Sequence, residues 1–224
     1  MTEILEYPYI ATLYLAVITG IIVFSRITSP PVRRVFILVV YTTVLETSVI
    51  FFREKFSTDT NVLPQYNFFM LIEFLFYAWF FKGVINIGAI KKSIDVFLLL
   101  FPVLWYIFVF GFFNISQWNS YTFLLGGSCM VFFGLTYYYQ LFKWLPPNYS
   151  IARSSEFWIT TGIMIFYTTG VPYMGMYNFL SSNFEWLAQS LKPVLQVTNI
   201  IMYSLFAYAF ICQVKMTNTT RSSL

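Results

Sequence analysis

Seven stretches of roughly 20 predominantly apolar residues follow one another along this chain, each long enough to cross a bilayer as a helix. They lie near residues 7 to 25, 35 to 52, 65 to 82, 94 to 112, 119 to 142, 157 to 179 and 187 to 213, divided by charges, Pro and Asn. Composition argues against a water-soluble globule: 58% of the residues are hydrophobic and 10% are charged, against about 25% charged in an average soluble domain. Too few polar side chains remain to cover a globule, and lipid is the solvent that suits the surface. The expected fold is an all-α, polytopic membrane protein, with seven transmembrane helices in a single bundle over residues 1–224 and no segment left over for a soluble domain. Span 1 lacks a basic leader and an Ala-x-Ala site, and a second span follows closely, so it reads as a retained helix rather than a cleaved signal peptide.

The net charge of +4 does not point to nucleic acid, because the 13 Lys and Arg residues lie singly or in short pairs between apolar segments. Their placement reads as topology. Arg26, Arg33, Arg34, Lys82, Lys91, Lys92, Lys143, Arg153, Lys215 and Arg221 fall on one side, Arg53 and Lys55 on the other, and Lys192 within the start of span 7. Lys and Arg are enriched in short cytoplasmic loops, which puts the N-terminus outside and the C-terminus inside. The tail from Val214 is polar and expected to be flexible.

Cys129 and Cys212 sit in apolar runs and read as packing residues. With no His in the chain, the usual zinc ligand and the Ser-His-Asp triad are excluded, and neither a glycine-rich phosphate loop nor a Gly-x-Ser-x-Gly elbow occurs. No cofactor or metal is implied. Aromatics at the span ends, including Tyr7, Tyr9, Trp118, Trp144, Trp158 and Trp186, read as interface belts. The small-residue runs "GGS" at 126 to 128 and "GVPYMG" at 170 to 175 suit close helix packing, with a kink at Pro172. Of the sequons at Asn114, Asn148 and Asn218, only Asn114 would lie outside.

Against this background the acid in "MLIEFLFYAWFF", Glu73, stands out. A carboxylate at bilayer depth costs about 2.5 to 3.5 kcal/mol on insertion scales, so such residues face the bundle interior and find partners. Glu73 lies eight residues from the outer end of span 3, or about 12 Å at 1.5 Å per residue, and Glu46 in span 2 about 9 Å from its outer end. The two acids share a layer on consecutive antiparallel helices, where one holds a proton or a cation bridges them. In span 7, Lys192, Gln196 and Asn199 recur at i, i+4 and i+7 on one face, at about 7, 13 and 18 Å from the outer end. Tyr77 lies one turn below Glu73, and Tyr167 of span 6 reaches midbundle with Thr168 and Thr169. These residues predict an outward-facing polar pocket between spans 2, 3, 6 and 7 built on Glu46 and Glu73, with Tyr77, Tyr167, Lys192, Gln196 and Asn199 as ligand-binding residues and Lys192 as counter-charge. The structural alternative is an ion-pair and hydrogen-bond network that fixes helix register and binds nothing. Asp95, at the inner start of span 4 behind Lys91 and Lys92, reads as a helix-dipole acid.

The short loop and "YNFFMLIEFLFYAWFF" of span 3, Glu46 in span 2, "WNSYTFLL" with Asn119 and Ser120, and "SSEFWITTGIMIFYTTG" with Phe157, Trp158, Gly162, Tyr167 and Gly170 resemble a group of small seven-helix membrane proteins of Bacteroidota often encoded beside sensor histidine kinases. The resemblance covers nearly the whole chain and implies the input component of a signalling pair in the bacterial inner (plasma) membrane, with a membrane-bound partner such as a histidine kinase; it carries no catalytic residues. A retinal protein needs a Lys deep in the last span, where this chain has Asn199. The SWEET sugar transporters share the helix number, but Pro172 has no counterpart in span 2 and no internal repeat is visible. Three functions suit the pocket: a sensor or receptor-like subunit, a small proton- or cation-coupled transporter, and an intramembrane enzyme using paired carboxylates.

Overall fold

In the computed structural model every element is a helix, and no strand occurs among the described residues. The structure describes residues 2–56, 61–112, 114–145 and 150–221, with side chains for 7–52, Lys55, 61–112, 114–145 and 150–213. Helix α1 (Thr2–Val23) ends in a 3₁₀ turn, Phe24–Arg26. Pro30 opens α2 (Pro30–Phe56), and Pro64 stands in the first turn of α3 (Leu63–Val84), positions where a missing N–H costs nothing. Helix α4 (Gly88–Ile107) runs into a π turn, Phe108–Phe112.

Side-chain caps start the next two helices: Asn119 accepts from the Thr122 N–H ahead of α5 (Ser120–Lys143), and Ser154 from the Phe157 N–H ahead of α6 (Ser155–Gly175). Each satisfies an N–H that the first helical turn leaves unpaired. A seven-residue helix, α7 (Tyr177–Asn183), precedes α8 (Glu185–Arg221).

Helices α1 to α5 and α8 are each long and apolar enough to cross a membrane, consistent with a polytopic helical protein. The seventh expected span, near 157 to 179, falls on α6 and α7. Its break at Met176 was not anticipated, and the Thr, Gly and Tyr residues of α6 leave it below the other six in hydropathy. Packing explains that composition. Helices α1, α2, α3, α5, α6 and α8 form a closed ring in that order, α8 returning against α1, while α4 packs outside the ring on α3 and α5. The buried residues of α6 recur at helical spacing (Ser155, Ile159, Gly162, Phe166 and Gly170), so several of its small and polar residues face neighbouring helices, while Thr168 and Thr169 stay exposed. The outward face of α4 carries exposed Leu99, Val103, Tyr106 and Phe110, an apolar stripe suited to bilayer contact.

Other differences from expectation are local. The backbone over 214–221 continues α8 instead of leaving it as a flexible tail; the side chains of Arg53, Lys215, Arg221 and Asn218, and all of Asn148, lie outside the described residues. Asp95 is not the helix-dipole acid expected, because α4 begins at Gly88 and has no acid in its first turn; it pairs instead with Lys82 across the α3–α4 connection. Both partners are near half-exposed, and such pairs contribute little. Pro172 stays inside α6, which ends three residues later.

Aromatic rings fill the middle of the closed ring. Phe74 meets Phe101, Phe123 and Tyr167 at centroid distances of 5.3, 5.9 and 5.3 Å, and Tyr77 meets Tyr167 and Phe206 at 6.0 and 6.4 Å. Edge-to-face contacts of this kind add to the burial of large apolar surface.

Candidate functional site

A cavity of about 120 Å³ opens inside the ring toward the end where α2 connects to α3, lined by Tyr9, Thr42, Glu46, Tyr66, Glu73, Asn199 and Tyr203 among polar residues and by Phe69, Phe123, Phe166 and Trp118 among aromatic ones. Five helices of the ring supply its polar wall residues or their supports. The two acids that share a layer by residue counting do share this cavity.

Glu46 is half-buried and held at both oxygens: the Tyr9 hydroxyl donates to Oε1 at 2.9 Å and the Tyr66 hydroxyl to Oε2 at 3.0 Å. Hydrogen bonds to a carboxylate are stronger than neutral ones. Phenylalanine at either position should lower stability by about 1.5 kcal/mol, and at both by more than twice that, because in each single variant the remaining phenol recentres on the carboxylate and recovers part of the loss. Thermal unfolding of the two single variants and the double variant in one detergent checks this; additivity would mean that the phenols act independently of Glu46.

Glu73 sits deeper, 6% exposed. Its carboxyl neighbours the buried Tyr167 hydroxyl, which makes no hydrogen bond among the described residues. Tyr203, with Thr42 beside it, lies close to both acids, its ring 6.0 Å from that of Tyr9. Among the described residues no Lys or Arg lines the cavity. An acid buried in this way is stable when a proton or a bound cation neutralises it.

The predicted residues divide into three sets. Glu46, Glu73 and Asn199 line the cavity. Tyr77 and Tyr167 form the layer behind Glu73, with the Tyr77 hydroxyl directed at Met202 Sδ, 3.8 Å away. Lys192 and Gln196 do not line it, and the expected counter-charge is corrected: Lys192 is exposed on a separate cavity between α6, α7 and the start of α8. Lys192 and Asn199 share a stripe of α8, but the stripe meets Tyr173 and Tyr177 at the rim and the acids only about 10 Å further in. Tyr66, which opens span 3 near the acidic layer by residue counting, does line the cavity, whereas Tyr9 and Tyr203 were not foreseen. Tyr203 follows Asn199 by four, a same-face spacing that a search for charge alone passes over.

Trp118 closes the cavity at this end. Its indole donates to the Met174 carbonyl at 3.1 Å, its own carbonyl accepts from Asn178 Nδ2 at 2.8 Å, and its ring lies 5.8 Å from Phe123. At about 30 Å³ per water the enclosed volume suits roughly four waters, well below the 300 Å³ or more of a drug-sized site. Its polar wall groups are carboxyls, hydroxyls and the Asn199 amide, set among apolar and aromatic side chains, and oxygen groups of this kind suit a proton, a hard cation or a very small polar solute.

A second, wider cavity of about 950 Å³ lies at the opposite, basic end, where the three connections α1–α2, α3–α4 and α5–α6 converge. Glu156 accepts there from Ser29 at 2.8 Å and Ser154 at 3.3 Å, while the Gln140 side chain binds both the Val84 carbonyl and the Asn86 N–H. Tyr77, Phe80, Phe81 and Phe133, all buried, lie between the two cavities.

Similarity adds nothing to this geometry. No known protein family, curated protein or solved structure matches the chain. Its function therefore rests on its own residues.

Proposed function

We propose that this chain is a seven-span sensor or receptor-like subunit of a bacterial plasma membrane, with its N-terminus outside, whose stimulus is a proton or small cation taken up at the Glu46–Glu73 cavity. One observation carries the reading: Glu73 is buried on a cavity that holds a second acid and no base. Neutralisation is conveyed by α8, because Asn199 and Tyr203 on its wall contact the site and the same helix runs to the basic end. There it would bias a membrane-bound partner such as a histidine kinase, and the basic loops support the orientation.

The test is infrared difference spectroscopy of the protein in nanodiscs between about pH 5 and about pH 9, above the ordinary carboxyl range at about 4 and below tyrosine titration at about 10, repeated with sodium or potassium added. A carboxyl band that changes with pH or cation in wild type and is absent in Glu73→Gln is the expected result. Spectra that respond identically in both would overturn the proposal.

The wide cavity at the basic end favours one further reading, a proton- or cation-coupled transporter. Buried aromatics, Tyr77, Phe80 and Phe81 of α3 among them, occupy the depth between the acidic cavity and the wide one at the far side, as alternating access requires of a closed gate. Flux of protons or labelled sodium into proteoliposomes, lost in Glu73→Gln, would select transport over sensing.

A further inference from the structure

The cavity that received Lys192 has a composition of its own. It measures about 390 Å³ and is lined by Tyr173, Tyr177, Ser181, Glu185, Gln189 and Lys192, so a cation and an anion stand on one wall. They are seven residues apart on α8, a rise of about 10 Å on one face, and helical side chains lean toward the N-terminus, which brings the Lys192 chain back toward Glu185. The two do not pair with each other, and Lys192 makes no hydrogen bond or ion pair among the described residues. Glu185 accepts at Oε1 from Gln189 at 3.1 Å, leaving its second oxygen for another donor. The wall itself is fixed: the Tyr173 hydroxyl ties α6 to α8 through the Ala188 carbonyl at 3.0 Å, and the Tyr173 and Tyr177 rings meet nearly at right angles, 5.9 Å apart.

Around this cavity the surface is apolar and aromatic. Met176, Phe179, Phe184 and Trp186 are all exposed, Trp186 at 69%, and they flank a short helix at the end of the bundle. Aromatics so placed mark the level at which lipid headgroups lie.

The geometry points to a headgroup site for a zwitterionic phospholipid: the phosphate on Lys192, the ammonium on Glu185 against the Tyr173 and Tyr177 rings, and the acyl chains over Phe179, Phe184 and Trp186. An ion with both charges is what an unpaired Lys and an acid on one wall can bind together, and tyrosine faces beside a carboxylate suit an ammonium. The site is independent of the cation reading, since it shares no residue with the Glu46–Glu73 cavity.

Native mass spectrometry of the whole protein, titrated with an equal mixture of phosphatidylethanolamine, phosphatidylcholine and phosphatidylglycerol, tests it. The zwitterionic lipids should be retained about fivefold over phosphatidylglycerol, which has no ammonium. Glu185→Gln should erase that preference, and Lys192→Ala should weaken retention of all three; both residues are exposed, so both variants should fold. Equal retention of the three lipids by wild type, or a preference unchanged in Glu185→Gln, would overturn the site. Free phosphoethanolamine supplies the remaining arm: failure to displace the lipids supports a lipid site, whereas displacement at matched concentration would assign the cavity to a soluble zwitterion and overturn the lipid proposal.

Discussion

Leucine in place of Gly126 is expected to prevent the bundle from closing. A Cβ built on Gly126 would stand 2.6 to 2.8 Å from three ring atoms of Phe74, and Phe74 cannot swing aside, because it is fully buried and its ring is held by Phe101, Phe123 and Tyr167. Relief therefore requires α3 and α5 to separate. Overpacking by single methylenes already costs about 1 to 3 kcal/mol, so alanine should be clearly destabilising and leucine should cost about 4 kcal/mol or more, in the range that unfolds a marginal protein. Gly88 is the control: nothing lies within 4 Å of its Cβ position, and Gly88→Ala should change stability by no more than about 0.5 kcal/mol. Monodisperse yield after detergent extraction, with thermal unfolding of what survives, reads the series. A Gly126→Leu protein as stable as Gly88→Ala would mean that α3 and α5 do not pack this closely.

The sequence pointed to that crossing through "GGS" at 126 to 128, since small residues between long apolar runs serve close helix approach. It pointed equally to Glu73, because the cost of a carboxylate in lipid turns it inward whatever its neighbours, and counting residues from the span ends placed Glu46 at the same depth. Depth along a helix is legible in this way because the rise per residue is fixed. What surrounds a residue at that depth is not, and Lys192 shows the difference. Its stripe on α8 was identified correctly, but the partners of that stripe at the rim come from α7 and the end of α6, a break that "GVPYMGMYNFL" does not announce. Tyr9 failed for a related reason. A tyrosine near a span end suits the headgroup region, and only the contact between α1 and α2 turns its hydroxyl to Glu46.

Alanine at Asn67 should loosen the closure of the acidic cavity along with the fold. Asn67 is 0% exposed and gathers the 114–119 connection onto α3: its Nδ2 donates to the carbonyls of Ile115 and Gln117 at 2.8 and 2.7 Å, and its Oδ1 accepts from the Asn119 N–H at 3.3 Å. The Asn67 carbonyl also accepts from the Trp105 indole at 2.9 Å, a bond that alanine would keep. Truncation leaves two part-buried carbonyls and a buried N–H without partners, and since water can reach the carbonyls in part the total should be about 3 kcal/mol. Asn67→Asp should be almost as damaging, because a carboxylate keeps the acceptor but offers neither donor. The functional consequence follows from Trp118, the last residue of that connection before the cap of α5 and the side chain that covers the cavity. With its anchor gone, backbone amides from Ser116 to Asn119 should exchange with deuterium about 100-fold faster, the factor expected when local opening becomes easier by about 2.7 kcal/mol. Water admitted past Trp118 would hydrate Glu73 and weaken its demand for a proton or cation, so the infrared response of the Glu73 carboxyl should diminish in the same variant. Faster exchange without any change in that band would separate the cover from the site and assign Trp118 to packing alone.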